Sequence, residues 1–154
     1  MTPASYWRLV RHNRNFRLLW FAQIVSELGD WFYSIAIFTL LLETTGRAEL
    51  IAFAFILQTL PQTLIAPSAG VINDRISRKK VMIFADLARA CITLCMLLVT
   101  SGGRLWLLFA LLFFETTCWG LFEPGRSAVI PNITAKGEVP LANALSSSTW
   151  SVIF

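Results

Sequence analysis

Gly70-Val71-Ile72-Asn73-Asp74-Arg75-Ile76-Ser77-Arg78-Lys79-Lys80 is a short basic stretch between two long apolar runs. The run before it, Leu50 to Ile72, carries no charge, and the run after it, Val81 to Thr100, carries only Asp86 and Arg89. Each run is long enough to cross a bilayer, since a spanning helix needs about 20 mainly apolar residues. The stretch therefore reads as a loop joining two membrane-spanning helices. Its cluster of cations, Arg75, Arg78, Lys79 and Lys80, marks the cytoplasmic side.

Composition points the same way. Charged residues make up 14% of the chain and hydrophobic residues 56%, against about 25% charged in soluble domains. The net charge of +4 raises nucleic acid as a partner, but its placement argues against one. Arg8, Arg11, Arg14 and Arg17 lie in the first tail, and Arg126 and Lys136 follow the fourth apolar run. Only Arg47 and Arg104 fall in the intervening outer loops. This bias orients a multi-pass protein of the cell membrane with its N-terminus in the cytoplasm, where a basic tail also meets anionic lipid. The lipid bilayer is the partner implied, and nucleic acid is not. Cys91 and Cys95 share one apolar run and Cys118 lies in another. That spacing gives neither a disulfide framework nor a zinc site, so the cysteines read as small packing residues. No nucleophile, metal or phosphate motif stands outside the apolar runs, so neither an enzyme nor a cofactor is expected.

The expected organisation is all-α. A basic tail covers residues 1–17, with Tyr6, Trp7 and Trp20 suited to the membrane interface. Complete spanning helices follow at about 18–42, 50–72, 81–100 and 105–122, and an incomplete fifth at 141–154. Gly46 sits in a short outer turn, and Ser101-Gly102-Gly103 closes the third helix. The stretch from Glu123 to Pro140, rich in Pro and Gly, reads as an inner loop. Pro61 and Pro67 lie inside the second helix, where Thr59 and Thr63 are expected to satisfy the carbonyls they free. The fifth run is still apolar at Phe154, so the chain reads as cut within that helix.

Polar residues inside the apolar runs are the candidate site. Gln23, Glu27, Asp30 and Ser34 are spaced by about one helical turn each and form one narrow stripe. A carboxylate at mid-bilayer costs roughly 2.5–3.5 kcal/mol on insertion scales, so the stripe should face a solvated cavity or a basic partner. It suits proton coupling or attraction of a cationic substrate; a plain polar link to a neighbouring helix is the other reading. Asp86 and Arg89, three residues apart, can neutralise each other within one helix. By the cost argument Glu115 should also face inward, and Gln58 and Gln62, four apart, could line a path. In the basic loop Gly70 allows close helix packing, while Asp74 can accept hydrogen bonds from Arg75 or Arg78.

The loop resembles the signature between helices 2 and 3 of the major facilitator superfamily, G-x-x-x-D-R-x-G-R-R/K-R/K. Every specified position matches except Ser77, which stands where the family usually has Gly. Asn15-Phe16-Arg17-Leu18-Leu19-Trp20, with Gln23, Ser26 and Leu28-Gly29-Asp30, looks like the start of bacterial efflux members, of enterobactin-exporter-like and macrolide-efflux-like type. Asp86-Leu87-Ala88-Arg89-Ala90 and the approach from Pro131 to Ala144 resemble the same group. The resemblance implies an N-terminal fragment of a helical transporter bundle, exporting a small amphiphilic compound, drug or siderophore by proton antiport. It also implies that Gly70, Asp74, Arg75 and Arg78 form a cytoplasmic latch against the missing C-terminal half. The embedded arginine common in proton-coupled members is absent from helix 4, since Arg126 lies past its expected end. Two other functions fit the bare pattern: a non-transporting four-helix assembly or signalling protein, and a compact homo-oligomeric multidrug exporter.

Overall fold

The structure is a computed structural model that describes residues 3–99 and 104–153, with side chains from residue 5 onward. The described residues form six helices and no strand: α1 (Pro3–His12), α2 (Arg14–Thr45), α3 (Ala48–Arg75), α4 (Arg78–Met96), α5 (Leu105–Ile133) and α6 (Val139–Ile153). They divide between two compact units. One takes the chain up to Ser34 and from Ala128 onward; the other is Ile35–Ser127.

In the first unit, the tail expected at residues 1–17 contains a helix of its own. Leu9 and Val10 point inward from α1 while Trp7, Arg8 and Arg11 point outward, the amphipathic pattern that makes a short helix worth forming by packing. Asn13 separates α1 from α2. Its Oδ1 accepts a hydrogen bond from the Phe16 amide at 3.0 Å, an N-cap for α2. Its Nδ2 donates to the carbonyl of Ile133 at 2.6 Å, where α5 ends. Around this junction Leu9, Val10, Phe16, Ile130, Leu141 and Ala142 form one buried cluster.

The loop expected from Glu123 to Pro140 is mostly helix. α5 runs through Pro124, Gly125 and Pro131 to Ile133, and only Thr134–Glu138 turns before α6. Pro140 stands in the first turn of α6, where a missing amide costs nothing. Pro and Gly are poor guides to a boundary here because a spanning helix tolerates both when neighbours pack against it. Arg126, placed beyond helix 4 on sequence grounds, lies within α5.

In the second unit, Gly46 ends α2 with φ +63, its amide bonded to Leu42 O at 2.8 Å, the left-handed cap that glycine adopts freely. α3 holds both prolines. Thr59 and Thr63 do not reach the carbonyls that the prolines free: their hydroxyls donate to Phe55 O and Thr59 O, one turn back. The connection from α3 to α4 is only Ile76 and Ser77. Ser77 has φ −54 and ψ 115, so this turn needs no glycine and the departure from the signature is harmless to its geometry. The third helix is shorter than expected, ending at Met96, with Leu97–Val99 in turns held by Leu97 N to Leu94 O and its successors. Thr100 and the expected closing Ser101-Gly102-Gly103 lie outside the described residues. Cys91 and Cys95 are exposed on α4 rather than packed inward.

Among the described residues three helices, α2, α3 and α5, are long and apolar enough to cross a membrane. α4 carries Arg78, Lys79, Lys80, Asp86 and Arg89 in 19 residues, so four complete spans are not established. Its apolar portion, 81–96, is about 24 Å long at 1.5 Å per residue, against a hydrocarbon core of about 30 Å.

Many large apolar side chains are exposed, and several polar ones are buried beside the apolar core. Phe32 and Trp106 are each 72% exposed, while Gln23, Asn73, Arg89, Glu115, Thr116 and Ser146 are buried. In water that arrangement would leave apolar area exposed far beyond what monomers carry. In hydrocarbon it is the expected one, with apolar faces against lipid and polar groups turned toward partners.

Candidate functional site

Two sets of buried polar contacts hold most of the residues that the sequence singles out. The first lies in the second unit. Arg89 of α4 and Glu115 of α5 are 8% and 3% exposed, and Arg89 Nε donates to Glu115 Oε1 at 2.7 Å. Sequence spacing joins Arg89 to Asp86 on its own helix; the structure adds a direct bond to the neighbouring helix, while Asp86, exposed on α4, still feels the Arg89 charge. Thr116, also buried, returns its hydroxyl to Leu112 O at 3.0 Å. A charge-assisted bond of this length, taken out of water, ties two helices more firmly than a neutral one.

Closer to the basic loop, Asn73 links α3 to α5. Its Nδ2 donates to Ala69 O at 2.9 Å and to Leu121 O at 3.0 Å. Its Oδ1 is buried without a hydrogen-bond donor and faces Gly125, where an added Cβ would come within 2.6 Å. Gly120, one turn earlier on α5, meets α3 as tightly: an added Cβ would lie 2.5 Å from Ile65 Cγ2 and 3.0 Å from Gln62 Cα. Among the described residues these two glycines allow the close approach of helices. At Gly70, as at Gly29, an added Cβ meets nothing within 4 Å. Asn73 escapes notice in the sequence because it looks like part of the loop. Its signal is a polar residue one turn after the small Ala69, still inside the helix.

Gln58 and Gln62 are both half-buried on α3. Gln62 lines a hollow of about 310 Å³ with Thr63, Ala66, Trp119, Gly120, Glu123 and Pro124. At its edge Arg126 Nε donates to Glu123 Oε2 at 2.8 Å, within α5. In the signature loop Asp74 and Arg78 form an ion pair at 3.6 Å across the α3–α4 corner, and Arg75 is exposed.

The second set lies in the first unit, along α2. Gln23 is 7% exposed, and its Nε2 donates to Glu27 Oε1 at 2.7 Å and to Ser146 O of α6 at 3.2 Å. Glu27, Asp30 and Ser34 are half-buried, and Ser34 donates to Asp30 O at 2.7 Å. Val25 and Phe32, on the other side of the helix, are 70% and 72% exposed. The stripe is therefore the more buried face of an otherwise lipid-compatible helix. Trp20 extends it toward the basic end, its Nε1 donating to Thr149 Oγ1 at 2.9 Å. Ser146 and Thr149 cannot be picked out from sequence, because a short serine-rich segment gives no periodic signal. Among the described residues no cluster of metal ligands occurs.

Long helices with lipid-facing apolar sides and an inward network of paired charges and amides define a multi-pass helical membrane protein. The chain belongs to the transmembrane secretion effector family of major facilitator superfamily (MFS) transporters, whose sequence profile matches residues 4–153. It is 29% identical to macrolide efflux protein A of Streptococcus pyogenes, over 100% of this chain and 37% of that protein. It is 32% identical to the MFS-type transporter YvqJ of Bacillus subtilis, over 97% of this chain and 35% of that one. It is 30% identical over 90% of its length to BacE of Bacillus amyloliquefaciens, whose name proposes it as a bacilysin exporter, and covers 35% of it. The chain thus spans about a third of the length of these relatives. No solved structure matches it significantly.

Proposed function

We propose that this chain is part of a secondary active transporter that expels a small amphiphilic compound, a drug or a siderophore, from the cell in exchange for protons. The observation that carries this is the family match over residues 4–153, together with relatives named for macrolide efflux and bacilysin export. In this reading the protein sits in the cell membrane with its N-terminus in the cytoplasm, and α4 is a fourth span beside α2, α3 and α5. Alternating access needs two halves rocking about a central site, so transport belongs to the assembly completed by the portion that the relatives carry beyond this match.

Roles follow from the contacts. Glu115 already holds Arg89 at 2.7 Å, so it serves best as a fixed element of the bundle. Glu27 and Asp30 share a half-buried stripe with Gln23, and they are the acids proposed to exchange protons. Gln58 and Gln62 are proposed to line the substrate path, and Gly70, Asp74, Arg75 and Arg78 to form the cytoplasmic latch. The test reconstitutes the complete transporter in proteoliposomes and follows a labelled macrolide under an imposed pH gradient. Glu27→Gln and Asp30→Asn should each leave the protein inserted and cut gradient-driven flux at least tenfold. Flux with unchanged rate and pH dependence in both variants would remove the acids from the coupling step, and substrate movement without counterflow of protons would remove antiport itself.

A further inference from the structure

We propose that the exposed arc of α1 is a binding surface for the anionic lipid of the leaflet in which the basic end of the bundle lies. This rests on the membrane reading of the fold and not on transport. Three observations place the surface. Trp7, Arg8, Arg11 and His12 are exposed on one side of α1, with Trp7 67% exposed, while Leu9 and Val10 on the other side are buried in the cluster with α5 and α6. The helix is thus held from behind, and its outward arc carries Trp7 beside Arg8 and Arg11, a composition that suits the headgroup region.

The second observation is position. A single residue, Asn13, separates α1 from α2, and the Asn13 side chain bonds both Phe16 N and Ile133 O. The apolar run of α2 begins at Leu18, about one turn or 6 Å beyond its start. Arg14, at the start of α2, therefore stands within a Debye length, about 8 Å at physiological salt, of the lipid boundary.

The third observation is charge. No acid precedes Glu27 in the sequence, and Arg14, exposed at the start of α2, adds to Arg8 and Arg11. The acid that approaches α1 from elsewhere is Glu138. It lines a hollow of about 350 Å³ with Leu9, His12, Asn13, Arg14, Asn15 and Ala135, whereas Trp7, Arg8 and Arg11 stand outside that lining. Three cations, Arg8, Arg11 and Arg14, thus stand around α1 against this one carboxylate. A phospholipid surface of net negative charge matches this balance better than a zwitterionic one.

The test uses the full chain in nanodiscs of phosphatidylcholine with and without phosphatidylglycerol, with amide hydrogen exchange read over residues 3–12. Phosphatidylglycerol should slow exchange of α1 on the order of fivefold per engaged arginine, and added salt should reverse the effect. Arg8→Gln with Arg11→Gln should abolish the lipid dependence, while Arg104→Gln, just before α5, should leave it intact. Equal exchange in the two lipids would overturn the proposal, and so would a lipid dependence lost equally in the Arg104 control. Misfolding of the double arginine variant would show as faster exchange of α1 in phosphatidylcholine as well. In that case free inorganic phosphate and soluble phosphatidylglycerol are added in turn to wild-type protein in phosphatidylcholine discs: protection by phosphate alone refutes a lipid surface, and protection by the lipid alone supports it.

Discussion

The buried polar contacts of α4 and α5 and those of α2 and α6 meet the same demand in different ways. Both remove polar side chains from lipid, yet one does so with a pair of opposite charges and the other with an amide relay. Arg89 and Glu115 neutralise each other across a 2.7 Å bond, so neither has reason to leave while the other remains. Gln23 instead divides its two donor hydrogens between Glu27 and the carbonyl of Ser146. A neutral donor asks less of its acceptor's ionisation state than a guanidinium does: the amide can stay bonded to a carboxylic acid as well as to a carboxylate. The difference separates an acid held by a buried counter-charge from an acid held by a neutral amide.

The largest expected effect breaks the charged pair. Glu115→Ala removes the carboxylate bonded to the buried Arg89 guanidinium, and stability measured by denaturant or thermal unfolding in mild detergent should fall by up to about 3–5 kcal/mol. Arg89→Met combined with Glu115→Leu removes both charges and should recover most of that loss, since a buried pair and well-packed apolar groups of similar volume are often close in energy. If Glu115→Ala unfolds no more easily than wild type, the pair does not brace the bundle.

A smaller effect tests whether the brace depends on how closely α5 approaches α3. In Gly120→Ala the new methyl would meet Ile65 Cγ2 at 2.5 Å and Gln62 Cα at 3.0 Å. Ile65 can swing aside, but the backbone at Gln62 cannot, so the helices must part. Overpacking of this kind costs about 1–3 kcal/mol. Gly29→Ala and Gly70→Ala place a methyl in open space and should be neutral or slightly stabilising. Equal behaviour of all three variants would mean that the approach at Gly120 is not close.

Faces and corners of this fold are legible in the amino-acid sequence; partners are not. The inward stripe on α2 is legible because spacing alone puts Gln23, Glu27, Asp30 and Ser34 on one face. The α3–α4 corner is legible because charge breaks in sharply at Asp74 and the chain turns apolar again at Val81. Arg89, by contrast, has one acid three residues away and another on a different helix; spacing shows the first, and only packing reveals the second, which makes the 2.7 Å bond. Glycine is ambiguous for a similar reason: Gly70, in the signature, stands open, whereas Gly120 and Gly125 carry the contact. Helix ends are hidden wherever Pro and Gly occur, because the cost of these residues is set by the neighbours that surround them rather than by local propensity. The turn at Ser77 shows the converse, a position where a missing glycine changes nothing.

The smallest expected effect on stability falls on the amide relay. Gln23→Leu keeps the volume and removes the donors to both Glu27 and Ser146 O. Side-chain hydrogen bonds between helices in membranes are worth about 0.6 kcal/mol on average and up to about 1.7, so unfolding should shift by no more than that. A loss of several kcal/mol would make Gln23 a brace like Arg89, and the distinction between the two regions would then lie only in their charge.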